Sequence, residues 1–347
     1  MTSTCAFKHM FKWRYLLAAV AFVIMAPTSS LAADHAVAVV YHRFGEDSYP
    51  STNTTLAQLD AHILHIKAGG FKVLPLRQIV EALRSGEPLP DKTIAITIDD
   101  AYDSVMKHGL SRLKEAGFTA TLFVSTQPLD ANLPGYMTWD DIRRAIQMGF
   151  DIGAHTASHA HLPDQPLTDA RREIAESNKR YQAELGFVPQ VFAYPYGEAS
   201  LTVRSAVMEA GYSAAFGQHS GVLHNTDDMF YLPRFALNET YGAIDRFRTL
   251  ASAIPLMVTD ITPPDMTLSP ESNPPAFGFT VDSSIGSLSS LACYASGIGR
   301  LNLNHLGQRR IEARLPRRLS PGRHRVNCTL PGGGGRWRWF GRQFYVR

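Results

Sequence analysis

Short apolar runs alternate with longer stretches of helical periodicity through residues 36–216. In the densest run, 93–98, isoleucine stands at every second position, which predicts a strand buried on both faces. Other apolar runs predict strands over 36–41, 71–74, 119–124, 151–154, 190–194 and 214–216. Apolar residues at helical spacing predict helices over 56–68, 76–84, 104–116, 138–148, 168–185 and 201–210, the fourth with Thr138 as its N-cap.

This alternation of strands and helices predicts an α/β domain with a parallel sheet covered by helices. The number and length of the strands favour a β/α barrel over an open sheet, and we place the domain at residues 34–254. The sequence has no glycine-rich phosphate loop, no dinucleotide-binding fingerprint and no G-x-S-x-G motif. These absences argue against nucleotide-binding and serine-hydrolase functions.

The pattern changes after residue 254. Six prolines lie in the next stretch, which predicts a stiff, extended linker over 255–275: Pro255, Pro263, Pro264, Pro270, Pro274 and Pro275. Short alternating runs then predict a small all-β, sandwich-like module over 276–347. A stiff linker would let the barrel fold alone, so the sequence also predicts that the module is dispensable for turnover.

The first 33 residues have the pattern of a secretory signal peptide. Lys8, Lys12 and Arg14 precede the apolar stretch 15–25, and Ser30-Leu31-Ala32 resembles a cleavage site. No later apolar run reaches the length of a membrane span. We therefore predict an exported protein, periplasmic or extracellular, without a transmembrane segment after cleavage.

Removal of residues 1–33 changes the charge and the cysteine count. The formal net charge of the whole chain is +3, and the three basic residues of the signal account for it. Twelve arginines, no lysine and four carboxylates give the stretch from Thr262 onward a charge of +8. Cys293 and Cys328 are the cysteines that remain, and an exported pair predicts a disulfide.

Candidate metal ligands stand where predicted strands end. Asp99 and Asp100 close the strand that begins at Thr93, and His155 and His159 follow the strand 151–154. Two adjacent carboxylates at the end of an apolar strand are costly without a cation. One aspartate with two histidines is a common catalytic zinc set, so we assign Asp100, His155 and His159 as ligands of a divalent metal, zinc by preference. A polar rim without metal is the simpler alternative.

Only one aspartate of the pair needs to bind the metal. The other, Asp99, can act as the general base for a water molecule activated by the cation. Such a site suits attack of water on a carbonyl, and a backbone N–H near Tyr196 could stabilise the oxyanion.

These motifs resemble those of the polysaccharide deacetylases with a NodB-homology domain, the family-four carbohydrate esterases. Residues 97–100 resemble the T-F-D-D-G motif, residues 155–159 the H-S/T-x-x-H motif, and residues 193–196 the R-x-P-Y motif of the substrate groove. The resemblance covers about 36–255 and points to the exported poly-N-acetylglucosamine deacetylase branch.

It implies a distorted (β/α) barrel with a divalent metal, usually zinc, that hydrolyses N-acetyl groups on an amino-sugar polymer. The bonds cleaved are carbon–nitrogen bonds other than peptide bonds. Poly-N-acetylglucosamine, a chitin-like glycan and peptidoglycan are the candidate substrates. By that match Asp99 is the base, and Tyr194, Pro195 and Tyr196 bind substrate.

The sequence departs from the family pattern at three points. Ala101 replaces the glycine after the aspartates, Ala193 replaces the arginine that would hold the base, and the late Leu-x-His motif is missing. Arg234 could replace the missing arginine, although a surface arginine is an equal alternative. His42 could bind substrate or act as the acid, although a structural histidine is nearly as plausible. A catalytically impaired glycan-binding protein of the cell envelope is therefore the competing function.

The basic module offers a second candidate surface. Its aromatic residues interleave with arginines over 336–345, which could bind an anionic envelope glycan by charge and stacking. An ordinary sandwich strand, with aromatics inward and arginines outward, is the slightly better interpretation. Nucleic acid would fit the charge, but we do not expect it as a partner of an exported chain.

Overall fold

The computed structural model describes residues 1–4 and 32–347, and residues 31–347 form one compact unit. The predicted signal peptide falls almost entirely on residues outside the described part. Within the described residues, no helix combines the length and apolarity needed to cross a bilayer.

The helices and strands up to residue 251 belong to the α/β part. Its strands are β1 (Ala32–Ala33), β2 (His35–Tyr41), β3 (Arg43–Phe44), β4 (Asn53–Thr54), β5 (Lys72–Val73), β6 (Leu89–Pro90), β7 (Thr93–Asp99), β8 (Thr121–Val124), β9 (Asp151–Ala154), β10 (Val191–Ala193), β11 (Ala214–Phe216), β12 (Leu223–His224) and β13 (Phe235–Ala236). Its α-helices are α1 (Leu56–Ala68), α2 (Leu76–Ser85), α3 (Leu110–Glu115), α4 (Thr126–Asp130), α5 (Trp139–Gln147), α6 (Leu167–Leu185), α7 (Leu201–Glu209) and α8 (Ile244–Ala251). A π-helix, Val105–Gly109, leads into α3, and 3-10 turns lie at Leu162–Asp164 and Pro195–Gly197.

The central sheet is curled into an incomplete barrel. Its order is β11-β10-β9-β8-β7-β2-β12, and all neighbours except β2 and β12 are parallel. β13 pairs with β2, and a single parallel bridge between Phe216 and Leu232 connects the opposite edge to the residues before β13. The predicted α/β barrel class is confirmed, and the carboxyl ends of β2, β7, β9 and β10 meet at one rim.

The sequence pattern placed most of these elements correctly because their apolar faces are buried. β7, with isoleucine at positions 94, 96 and 98, is buried along its whole length, as predicted. Thr138 caps α5, and its hydroxyl accepts a hydrogen bond from the backbone of Asp141. α4 and α8 were not predicted, because neither presents a long apolar period.

The β-rich part after residue 251 consists of two packed sheets. Its strands are β14 (Ile254–Pro255), β15 (Val258–Thr262), β16 (Thr267–Leu268), β17 (Ala276–Val281), β18 (Ala292–Ala295), β19 (Gly299–Arg300), β20 (Asn302–Leu306), β21 (Arg310–Arg314), β22 (Gly322–Pro331) and β23 (Trp337–Val346). One sheet has the order β14-β23-β22-β18-β19 with β16 beside β23, and the other has the order β15-β17-β21-β20. A separate apolar core, which includes Phe277, Phe279 and Phe344, lies between them.

The stretch 255–275, predicted as a linker, pairs with the β module in the structure. β14 and β16 add to β23, and β15 adds to β17. Proline lacks an N–H but keeps its carbonyl, and arginines of the module donate to these carbonyls. Arg338 donates to Pro255 and Arg342 donates to Pro264, so the proline-rich and arginine-rich stretches complement each other.

The module also packs directly on the barrel. Trp339 meets the ring of Phe235 edge to face at 5.0 Å between centroids. Arg336 donates to Asp91 at 2.9 Å, and Tyr345 donates to Asp164 at 2.5 Å. The aromatic side chains of β23 therefore serve packing, as the simpler interpretation of that strand expects.

A disulfide joins the predicted cysteine pair. Cys293 and Cys328 face each other on β18 and β22, and their sulfurs are bonded. The closed loop spans 35 residues of sequence, so on chain-entropy grounds the bond should stabilise the module by about 3–4 kcal/mol.

We expect the Cys293→Ala/Cys328→Ala double variant to lose that free energy of unfolding in urea titrations. Two freely alkylated thiols in the non-reduced wild type would contradict this expectation.

Candidate active site

Three candidate ligands converge at the barrel rim. Asp100 follows β7, and its Oδ1 lies 3.3 Å from His155 Nε2 and 3.1 Å from His159 Nε2. The three ligand atoms lie within 4.8 Å of one another, so this group could hold a metal ion. His155 is fully buried, whereas the side chain of His159 is 21% exposed, which leaves one side of the group open to the pocket.

The hydrogen bonds around His155 fit a cation between these atoms. His155 Nδ1 contacts the carbonyl of Ala193 at 2.7 Å, and only a protonated Nδ1 can donate there. Its Nε2 then carries a lone pair that faces a carboxylate oxygen. Neither His155 Nε2 nor Asp100 Oδ1 has a hydrogen-bond partner among the described residues, although both are buried. Two buried acceptors that face each other need a positive charge between them.

Left-handed backbone conformations gather around this group. Asp100, Ala101, Thr156, His159 and Tyr196 all have φ between +53° and +75°. Such φ values are costly for residues with a side chain, and they persist where the surrounding structure enforces them. The φ of Ala101 is +53°, which explains why the family pattern has glycine there. Alanine keeps the required turn at a modest energetic cost.

Asp99 is held by a buried arginine. Arg234 donates from Nη1 to Asp99 Oδ1 at 2.7 Å and from Nη2 to Oδ2 at 2.9 Å, and both side chains are fully buried. The guanidinium also donates to the carbonyl of Gly217 and to the hydroxyl of Thr97. Arg234 directly precedes β13, whereas Ala193, which stands at the place of the motif arginine, ends β10. The guanidinium therefore reaches Asp99 from a different part of the rim. The surface-arginine alternative is thereby wrong.

The Asp99 carboxylate stays ionised in this setting. Burial raises the pKa of Asp99, but the charges of Arg234 and His155 lower it, and the net pKa lies below the usual value. Gln218 Nε2 adds a contact of 3.3 Å to Oδ2 and lies 3.5 Å from His42 Nε2. Burial lowers the pKa of His42, despite the opposing charges of both aspartates, so this imidazole is neutral at pH 7.

A pocket of about 510 Å³ opens over the site. The barrel residues that line it include His42, Asp100, Tyr102, Tyr136, His159, Tyr196 and Gln218. Asp99 lies behind this lining, where Gln218 connects it to the pocket. The pocket therefore unites the predicted triad with His42 and Tyr196.

The structure separates the three predicted groove residues. Tyr196 lines the pocket, and its ring lies 4.4 Å from that of His159. Tyr194 is fully buried, and its hydroxyl donates to the carbonyl of Phe230 at 2.8 Å, so its assignment to the groove was wrong. Pro195 is buried behind the pocket lining. Both residues continue β10 into the core, and only the left-handed turn at Tyr196 directs a ring outward.

Sequence reasoning missed several pocket residues. Gln218 has no motif around it. Tyr102 and Tyr136 are remote in sequence but form a β-bridge, and their tilted rings lie 5.0 Å apart between centroids. Arg323 and Arg325 come from β22 of the module. The +8 charge of the C-terminal stretch was a signal that this stretch could bind an anion, but it did not indicate which arginines would reach the pocket. Leu303-Asn-His305 has the letters of the missing Leu-x-His motif, but His305 is exposed on β20 of the module and is not part of the pocket lining.

Comparison with known proteins identifies the domain. Residues 86–215 match the family model of polysaccharide deacetylases. The chain carries a polysaccharide deacetylase domain. The matched range contains both aspartates and both histidines of the site, and the predicted family and hydrolase class are confirmed. Arg234 and the β module lie outside that range.

Two curated relatives and one solved structure indicate the extent of the likeness. Putative polysaccharide deacetylase YxkH of Bacillus subtilis is 21% identical, over 56% of this chain and 69% of that protein. Poly-beta-1,6-N-acetyl-D-glucosamine N-deacetylase of Escherichia coli K12 is 25% identical over 49% of this chain, but the match spans only 31% of that enzyme. Deacetylase PplD of Streptococcus pyogenes, solved with acetate, has a TM-score of 0.58 and 18% identity over 62% of this chain and 98% of that one. This last likeness shows a shared fold.

Proposed function

We propose that this chain is an exported, metal-dependent deacetylase that hydrolyses N-acetyl groups on an amino-sugar polysaccharide. The deacetylase domain and the activity for which the Escherichia coli relative is named support the substrate class. The single observation that carries the proposal is the pair of buried, unpartnered acceptors, Asp100 Oδ1 and His155 Nε2, with His159 beside them. Poly-N-acetylglucosamine is the first polymer to test.

The donor set fits a zinc-type cation. Asp100, His155 and His159 would hold it with one carboxylate oxygen and two imidazole nitrogens, which is a common catalytic zinc set with room for further ligands. A divalent cation held there supplies Lewis acidity, which lowers the pKa of water and polarises a carbonyl oxygen. The Ala193 carbonyl orients His155, so the residue that replaces the motif arginine still supports the site through its backbone.

The other residues have roles that follow from their positions. Asp99 takes the proton from the attacking water, and Arg234 keeps this base ionised and correctly oriented. The Tyr196 N–H lies in the first turn of a 3-10 helix, where backbone donors lack partners within the helix, so it can stabilise an oxyanion. His42 lines the pocket as a neutral imidazole, which suits contact with the substrate better than donation of a proton to the leaving amine.

The presence of Arg234 favours an enzyme over an impaired glycan-binding protein. The competing function was motivated by the missing motif arginine at position 193. A bidentate guanidinium reaches the same aspartate from residue 234, so the loss is compensated within the site. A pure binding protein has no need of a buried, charge-stabilised base beside a set of metal ligands.

The proposed compartment and partners follow from the sequence. Export rests on the predicted signal peptide, and the Cys293–Cys328 disulfide is consistent with an oxidising compartment. The substrate is the N-acetylated polymer itself, and an anionic envelope glycan is proposed as a further partner of the module.

Acetate release tests the proposal directly. We expect the purified protein to contain about one equivalent of a divalent metal by elemental analysis. It should release acetate from at least one N-acetylated glycan among poly-N-acetylglucosamine, chitin oligomers and peptidoglycan. A chelator should abolish this activity, and zinc should restore it. A metal-loaded protein that binds a glycan but releases no acetate would instead establish the binding function.

A further inference from the structure

One wall of the catalytic pocket comes from the β module. Ser296, Arg323 and Arg325 line the same 510 Å³ pocket as Asp100, His159 and Tyr196. The guanidinium carbon of Arg323 lies 5.1 Å from the centre of the Tyr196 ring, which in turn contacts His159. Side chains two apart on a strand share a face, so Arg323 and Arg325 both point toward the pocket. The module therefore contributes two positive charges close to the candidate metal ligands.

Most other arginines of the module donate to backbone carbonyls, either in the module or in the preceding chain. Eight of the twelve donate to backbone carbonyls in the described structure: Arg309, Arg310, Arg317, Arg318, Arg336, Arg338, Arg342 and Arg347. Arg314 pairs with Glu312. Among the described residues, the side chains of Arg300, Arg323 and Arg325 donate to no backbone carbonyl. Arg300 is exposed on β19, whereas Arg323 and Arg325 line the pocket. Their charges remain available to a ligand.

The two pocket arginines are held in place by specific contacts. Arg325 Nε donates to Gln343 Oε1 at 3.0 Å, and Gln343 Nε2 donates to the Tyr196 carbonyl at 3.1 Å. Arg323 Nε lies 3.5 Å from Glu198, a buried carboxylate whose closer contact is His161 at 2.7 Å. Arg325 has no carboxylate within 4 Å among the described residues. One acidic group thus faces two guanidinium groups, which leaves this wall with excess positive charge.

We propose that Arg323 and Arg325 form a subsite that binds an anionic substituent of the polysaccharide, a carboxylate or a phosphate ester, on a sugar near the one being deacetylated. This inference rests on the proposed deacetylase function and deepens it by naming the substrate as an acidic amino-sugar polymer. A guanidinium binds carboxylate and phosphate oxygens through two parallel hydrogen bonds. Two partly desolvated like charges on one strand face repel each other, and an anion between them relieves that repulsion.

The test compares oligosaccharides that differ in one substituent, which is either absent or anionic. Three N-acetylated oligosaccharides of equal length would be used: a neutral one, one with a carboxymethyl ether on one sugar, and one with a phosphate ester at the same place. The variants are Arg323→Gln/Arg325→Gln, the charge-conserving Arg325→Lys, and Arg314→Gln as a control on an exposed arginine of the same module. The readouts are kcat/KM for acetate release and Kd by titration calorimetry, with thermal melting as a check of folding.

We expect the wild type to favour an anionic oligosaccharide over the neutral one by at least about tenfold in kcat/KM, mainly through KM. The double glutamine variant should lose that preference, so that its kcat/KM for the anionic oligosaccharides falls to about its own value for the neutral one. Arg325→Lys should retain part of the preference, and Arg314→Gln should behave as wild type. The substrate that is favoured, carboxylate or phosphate, identifies the source of the charge.

Two results would overturn the subsite. One is a wild type that does not discriminate between neutral and anionic oligosaccharides, and the other is an equal loss on all three in the double variant. If the wild type releases acetate from none of them, the deacetylase proposal fails, and calorimetry then decides the subsite separately. Tighter binding of the anionic oligosaccharide that disappears in the double variant would support it, and equal affinities would refute it.

Discussion

Asp100→Asn should remove metal binding and acetate release together, whereas Asp99→Asn should keep the metal and lose turnover. Asp100 Oδ1 is the atom that both histidines face, so an amide there weakens the ligand set. Asp99 does not belong to that candidate ligand group, and its carboxylate is held by Arg234. Loss of a positioned base lowers kcat by about 10²–10⁴-fold. The two neighbours therefore separate metal binding from proton transfer.

The measurement is metal content beside acetate release for both variants. Asp60→Asn serves as the control, because this exposed aspartate forms a surface ion pair with Arg112, away from the site. It should match the wild type in both readouts. If Asp99→Asn loses the metal and Asp100→Asn keeps it, the two roles are reversed. Removing the Asp99 charge also weakens its bonds to Arg234, so folding of each variant must be checked by circular dichroism.

Arg234→Leu should destabilise the protein by about 3–5 kcal/mol and also abolish most turnover. Removing one partner of a fully buried ion pair leaves the other charge buried and uncompensated. Without Arg234, the effect of burial on Asp99 is less opposed, so its pKa should rise. A higher pKa leaves less of this base ionised at a given pH, so less of it can accept a proton from water. Stability and activity should therefore fall together.

A double-mutant cycle isolates the pair. Arg234→Leu/Asp99→Leu should recover part of the lost stability, because two apolar side chains leave no buried charge, but it should remain inactive. Arg204→Leu is the matched control, since Arg204 binds Asp228 in a similar bidentate manner at a partly exposed site. It should cost at most about 1 kcal/mol. A cost for Arg234→Leu as small as that of the control would show that the pair contributes little to folding.

The ligand set was accessible from the sequence because its signals are local. Asp100 and His155 directly follow buried strands, and parallel strands bring their carboxyl ends to one rim. The His155–His159 spacing lies within one loop. The strand pattern and the local spacing thus placed the candidate metal ligands without knowledge of any distant contact. It also placed β7, whose alternating isoleucines face two apolar layers.

Other features depend on contacts that sequence spacing does not encode. Arg234 meets Asp99 across 135 residues, and Gln343 meets Tyr196 across 147. The prolines indicate an extended chain, and the 255–275 stretch does contain extended segments. Whether such a segment pairs as a β-strand depends on the chain that lies beside it, which the local sequence does not show. Here β17 and β23 supply the backbone partners, and arginines supply donors for proline carbonyls.

β23 has a consequence for when the protein becomes competent during synthesis. Residues 337–346 pair with β14, β16 and β22, and Gln343 anchors both Tyr196 and Arg325. All candidate metal ligands are translated long before this strand. A ribosome-bound or partly translocated chain would therefore hold the ligands but lack one wall of the pocket. We therefore expect the enzyme to process its polymer only after β23 has emerged and paired, and this expectation replaces the prediction from the sequence that the module is dispensable for turnover.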